Sequence, residues 1–177
     1  MLKTCLKLAL LLALLSVLPS QTPAQEGRRF GARLVSYEEV PTLSTAGEGT
    51  FNMLIDSTDT SFDFELTFSG ISGTGATQSH IHFGQKGTIG GITVFFCTNL
   101  NNGPAGTPAC PANGTVTGTV TAANVIGPGG QGISAGEFAE LLAAIRAGYV
   151  YANVHSALFP GGEIRGQLVP DVKPPPF

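Results

Sequence analysis

Along most of the chain, apolar and polar positions alternate with a period of two. Phe62, Phe64, Leu66 and Phe68 interleave with Ser61, Asp63, Glu65 and Thr67. Such a segment is an extended strand with one core face and one wet face. Phe51, Met53 and Ile55 repeat the pattern just before it, and Ser57-Thr58-Asp59-Thr60 reads as the hairpin turn between the two. Thr115, Thr117, Thr119 and Thr121 alternate with Val116, Gly118 and Val120. Further strands are expected at about 32–37, 79–83, 92–97, 149–155 and 163–168. Eight short antiparallel strands predict an all-β sandwich or Greek-key barrel.

One segment changes period. Phe138, Leu141, Leu142 and Ile145 fall at i, i+3, i+4 and i+7, the stripe of an amphipathic helix. Ser134 and Glu137 form a capping-box pattern ahead of it, and Gly148 stands where a C-terminal cap belongs. The expectation is one short helix closing one end of the β structure.

Composition narrows the compartment. Charged residues are 12% of the chain against 42% hydrophobic ones, so Ser, Thr, Asn and Gln must build much of the surface. Lys3 and Lys7 precede an apolar run from Leu8 to Leu18 that is short for a bilayer span. Pro19, Ser20 and the small Ala24 follow it. This is the layout of a secretory signal, with cleavage placed near Ala24. The expected division is a signal peptide over 1–24, a segment over 25–29, the domain over 30–169 and a Pro-rich tail over 170–177. Losing two lysines moves the net charge from −3 to −5. A mildly acidic chain without a basic cluster argues against nucleic acid as a partner. No later apolar run is long enough to anchor the cleaved chain in a membrane. A secreted or periplasmic protein is expected.

Cys5 lies in the signal, which leaves Cys97 and Cys110. An even count in an oxidising compartment predicts a disulfide. The intervening residues, rich in Asn, Gly and Pro, are loop chemistry. A metal role for the pair is the rival reading, but the spacing does not fit a Cys-x-x-Cys knuckle.

The candidate chemistry lies in three histidines, His80, His82 and His155. His80 and His82 project from one strand face, opposite Ile81 and Phe83. In the later strand Val150, Ala152 and Val154 are the apolar set, so Tyr149, Tyr151, Asn153 and His155 share the other face. All three histidines are therefore expected on the outer, wet face. If the strands are neighbours, the imidazoles converge on one ion, with Cu or Zn the metals considered. The alternative is a polar surface patch. Glu163 and Arg165 are expected to fix His155 by hydrogen bonds, and Tyr151 is expected to stand with them around the histidines. For Glu163 and Arg165 the rival is a surface ion pair. No Gly-x-Ser-x-Gly elbow, phosphate loop or dinucleotide fingerprint is present, and no catalytic residue is assigned.

Several stretches carry a resemblance. They are Ala32-Arg33-Leu34 with Glu38-Glu39-Val40-Pro41, then Ser79-His80-Ile81-His82-Phe83-Gly84. Gly148-Tyr149-Val150-Tyr151-Ala152-Asn153-Val154-His155-Ser156 and Phe159-Pro160-Gly161-Gly162-Glu163-Ile164-Arg165-Gly166-Gln167-Leu168 follow. In this order they resemble the CHRD domain, the module named after chordin. The resemblance implies an exported β module of unsettled activity, and the expected role is binding or structural association with an extracytoplasmic protein or surface ligand rather than enzymatic turnover. The alternative is a mononuclear Cu or Zn metalloprotein that uses the three histidines, with redox activity open to it. A weaker likeness is to Cu/Zn superoxide dismutase, whose barrel carries His-x-His on an outward face. The chain lacks the further histidines that a bridged copper–zinc pair needs. The export reading has a direct check: mass spectrometry of the secreted protein should place its first residue near Gln25, whereas a chain retaining Met1 would contradict it.

Overall fold

The computed structural model describes residues 28–170. The expected signal peptide and most of the expected tail lie outside the described residues. Nine strands follow in order: β1 (Arg29–Val35), β2 (Glu48–Ile55), β3 (Ser61–Ser69), β4 (Ala76–Phe83), β5 (Gly91–Thr98), β6 (Gly114–Thr121), β7 (Val150–Ser156), β8 (Ile164–Gln167) and the two-residue β9 (Val169–Pro170). One α-helix, α1 (Phe138–Arg146), sits between β6 and β7.

Strands β1 to β8 form one antiparallel sheet in the spatial order β5-β4-β7-β8-β1-β2-β3-β6, and β9 adds to β1. The sheet curls until β5 and β6 face each other across an unpaired seam, so the molecule is a nearly closed barrel rather than a sandwich. Because β6 returns beside β3 after the β4–β5 hairpin, the connection has Greek-key character.

The alternation places the core as expected. Phe51, Phe62, Leu66 and Phe68 of β2 and β3 are all but inaccessible to solvent, as are Ile81, Val150 and Val154 of β4 and β7. Phe96 packs between Phe64 and Phe51, with ring centroids 4.3 and 4.9 Å away. These aromatic contacts tie β5 to β2 and β3 across the core. On the outer face of β3, Thr67 meets Thr115 at 2.9 Å and Asp63 accepts from Thr119 at 2.6 Å, pairs that fix register in water.

Helix α1 buries Phe138, Leu141, Leu142 and Ile145, and Phe138 stacks on Phe62. Its start departs from the capping-box reading. Glu137 itself is the N-cap, and only half of the box forms, with the Ser134 N–H donating to the Glu137 carboxylate. The reason is that the Ser134 carbonyl opens a turn by accepting from the Glu137 N–H, so the helix begins after that turn. At the other end Gly148 takes φ +79°, and its N–H and that of Tyr149 bond Ile145 and Ala144. This is the left-handed closure expected of a glycine there.

The disulfide forms between Cys97 at the end of β5 and Cys110, with Cα atoms 4.9 Å apart. It ties the loop after β5 to the strand edge, where Thr98 N–H also donates to Pro108 O. Replacing both cysteines by alanine should lower unfolding free energy by roughly 3 kcal/mol, the loop-closure value for a loop of this size. Urea unfolding of the variant checks it; unchanged stability would show that the loop is held without the bond.

Candidate metal centre

Strands β4 and β7 are neighbours, so the condition set by the sequence is met. Their register puts His80 opposite Asn153, His82 opposite Tyr151 and Gln78 opposite His155. His80, His82 and His155 share the outward face, and their ligand nitrogens lie within 4.8 Å of one another. The ring centroids of His80 and His155 are 4.9 Å apart, and those of His80 and His82 are 5.3 Å apart.

The expectation of a wet face is overturned. His80 is 0% exposed, His155 5% and His82 8%. The cause is cover from loops, which strand alternation does not encode. The segment after β1 brings in Glu39, the β4–β5 connection brings in Gly90, and the β7–β8 connection brings in Pro160 and Gly162. Phe95 of β5 closes the side, its ring set edge-on to His80 at 4.3 Å. The same Phe95 lines a cavity of about 170 Å³ at the barrel seam, between Phe64, Phe96 and Gly118.

The hydrogen bonds fix the protonation pattern. His82 Nδ1–H donates to Gly90 O at 2.9 Å, and His155 Nδ1–H donates to Pro160 O at 2.9 Å. Carbonyls only accept, so both Nε2 atoms carry lone pairs. His155 Nε2 accepts from His80 Nδ1 at 3.2 Å. His82 Nε2 and His80 Nε2 have no hydrogen-bond partner although both are buried. Orphaned buried acceptors are costly, on the order of 1–3 kcal/mol each, and call for an explanation.

Gly90 is required by space. A Cβ there would lie 1.9 Å from the Phe83 carbonyl oxygen. Its N–H donates to the Tyr151 hydroxyl at 3.1 Å while its carbonyl orients His82. Tyr151 lies flat on His82, with rings 4.8 Å apart and an interplanar angle of 1°. Arg165 covers the other side of Tyr151 at 3.5 Å from the ring centre and donates to Gln85 O. Tyr151 and Arg165 thus support His82 by stacking, and Arg165 does not make the hydrogen bond expected with His155.

Glu163 does something else. It is fully buried, and its carboxylate accepts from the N–H and the hydroxyl of Ser72, the latter at 2.6 Å. It therefore neither bonds His155 nor forms a surface pair with Arg165; it fastens the loop after β3 to the start of β8. Sequence reasoning missed Glu39, whose carboxylate accepts from Asn153 Nδ2 at 2.8 Å. Alternation places Asn153 on the histidine face without giving it a role, and the Glu39 contact spans 114 residues, beyond what periodicity conveys.

Electrostatics keep the imidazoles neutral. Burial pushes His80 down to about 2, helped by the positive charge that His155 and His82 would carry. Burial likewise takes His82 down to about 4, although the Gly90 carbonyl pulls it upward; His155 and Arg165 push down, and the Asn153 carboxamide pulls up. Burial lowers His155 as well, against the Pro160 carbonyl. Burial raises Glu39 to about 7, opposed by its bond from Asn153 and by Arg165.

The site thus presents neutral imidazoles with free lone pairs in a dry pocket on the outside of a β-barrel. The chain belongs to the CHRD domain family: the family model matches residues 30–168, nearly all of the described structure. No curated protein and no solved structure matches the chain.

The shifts set a pH profile for the metal-free protein. Histidines lowered by folding contribute stability above about pH 6.5 that is lost as pH falls toward 4, at about 1.4 kcal/mol per pH unit for each proton taken up on unfolding. Glu39 runs the other way, because a raised acid stabilises below its ordinary value and loses that contribution as pH rises through about 7. Urea unfolding between pH 4.5 and 7.5 should therefore show stability falling on acidification, and falling more steeply in Glu39→Gln. A flat profile would mean that the imidazoles are solvated.

Proposed function

We propose that this CHRD domain is an extracytoplasmic metal-binding module that holds one Cu or Zn ion on His80, His82 and His155. The observation that carries this reading is the convergence of three buried, neutral imidazoles whose ligand nitrogens lie within 4.8 Å of one another, with His82 Nε2 left unpartnered. A polar patch meant for a protein partner would expose its histidines, and these are covered.

The spacing supports it. Two nitrogens on one tetrahedral ion at 2.0–2.1 Å stand about 3.3 Å apart. His80 Nδ1 and His155 Nε2 are 3.2 Å apart, so an ion can take the place of the proton between them. The carbonyls of Gly90 and Pro160 hold two of the rings by their other nitrogen, the usual way a ligating histidine is oriented. Imidazole donors suit Zn and Cu, and copper would add redox chemistry. The Cys97–Cys110 disulfide is consistent with an oxidising compartment, and among the described residues no helix is long and apolar enough to cross a membrane.

Elemental analysis and calorimetry on the mature protein should find one Cu or Zn bound per chain. His82→Ala should weaken binding by at least a hundredfold. Because burial has already removed the competing protons, affinity should hold as pH falls through 6.5 and fail only toward 4. Absence of stoichiometric binding to either ion would sink the reading.

A further inference from the structure

The three histidines occupy three corners of a four-cornered patch on the sheet. His80 and His82 are two residues apart on β4, and Asn153 and His155 are two residues apart on β7, with Asn153 directly across from His80. The fourth corner is an uncharged carboxamide that is 2% exposed. Its Nδ2 donates to Glu39, which points its Oδ1 the other way. That Oδ1 has no hydrogen-bond partner, and neither has His82 Nε2. Yet the two side chains are close enough for the carboxamide to favour a proton on His82.

We propose that Asn153 Oδ1 is the fourth ligand of the ion, with Glu39 as the residue that positions it. This rests on the metal reading of the three histidines and extends it to a closed N3O set.

Three observations converge on it. An amide can turn either end toward a neighbour, and only a fixed acceptor on the nitrogen side selects the oxygen for the site. Glu39 is that acceptor, itself buried. Room for the pair is made by Gly162, at φ +129°, where a Cβ would stand 2.4 Å from Asn153 Nδ2 and 2.6 Å from Glu39 Oε1. Finally, Oδ1 is a buried acceptor left unpaired directly across from His80; among the described residues the other such oxygen on this face is Gln167 Oε1, which lies across from Tyr151 on β8.

The chemistry changes with the fourth ligand. An oxygen donor beside three imidazoles favours Zn(II) or Cu(II) over the softer Cu(I). A closed tetrahedron has no position for a reacting water, which is the arrangement of sites that hold an ion rather than turn over substrate. With four neutral donors, the buried carboxylate of Glu39 one bond beyond Asn153 is placed to offset the charge of the ion.

The test compares Zn(II) and Cu(II) binding to the wild-type mature protein and to Asn153→Ala. Expected are an affinity loss of about 10- to 100-fold and an altered Cu(II) electron paramagnetic resonance spectrum as water replaces the amide. Should the variant fail to fold, wild-type protein decides. Zinc should then shift the Asn153 side-chain carbonyl and amide resonances well beyond those of the buried Gln167 amide. Equal affinity with an unchanged Cu(II) spectrum, or unmoved Asn153 resonances, would overturn the fourth ligand and leave the histidine site standing. Wild-type protein that binds neither ion would instead overturn the metal reading, and this proposal with it.

Discussion

A strand buried on both faces must satisfy its polar side chains without water, and β7 is such a strand. All seven residues from Val150 to Ser156 are buried. Its inward residues, Val150, Ala152 and Val154, belong to the core. Its outward residues, Tyr151, Asn153 and His155, are covered by loops and can turn only to one another and to those loops. The second, outer layer of packing over β4 and β7 follows from that constraint. Each covering loop ends in a polar contact with the face: a Gly90 carbonyl on His82, a Pro160 carbonyl on His155, a Glu39 carboxylate on Asn153.

Two buried carboxylates illustrate how different the outcomes are when the partners differ. Glu163 accepts from both donors of one residue, Ser72: the N–H, shared between its two carboxylate oxygens, and the hydroxyl. Glu39 has the Asn153 amide and the attraction of Arg165, which do not outweigh its burial, and its proton is held up to about 7. The first is a clamp between loop and strand. The second is a polar group whose position is explained by what it orients.

The barrel was legible because its strands alternate cleanly. Phe62 to Phe68 and Phe51 to Ile55 leave no choice of face, and the register between β2 and β3 then follows from the hairpin. The helix was legible from four apolar positions, and its end from Gly148. The clustering of His80, His82 and His155 was legible as a shared face, since that requires only alternation and adjacency of two strands. Their burial was not. It depends on loops that carry no period and that arrive from distant parts of the chain, as Glu39 does. Even β5 departs from simple alternation, with register shifts at Ser79/His80 and at Ile81/His82 that set Phe95 against His80. Stacking of Tyr151 between His82 and Arg165 was equally hidden, because neighbouring positions on adjacent strands say nothing about ring orientation.

The loops over the histidine face also bear on time rather than affinity. With His80 fully enclosed, the ion proposed for this face would reach it only when Phe95 or one of the covering loops moved aside. Such excursions are local openings whose frequency is set by the protein and not by its surroundings. Uptake at high ion concentration would then proceed at a ceiling rate independent of how much ion is offered. Release would be slow for the same reason, so that a chain once filled could carry its ion through surroundings that contain little of it.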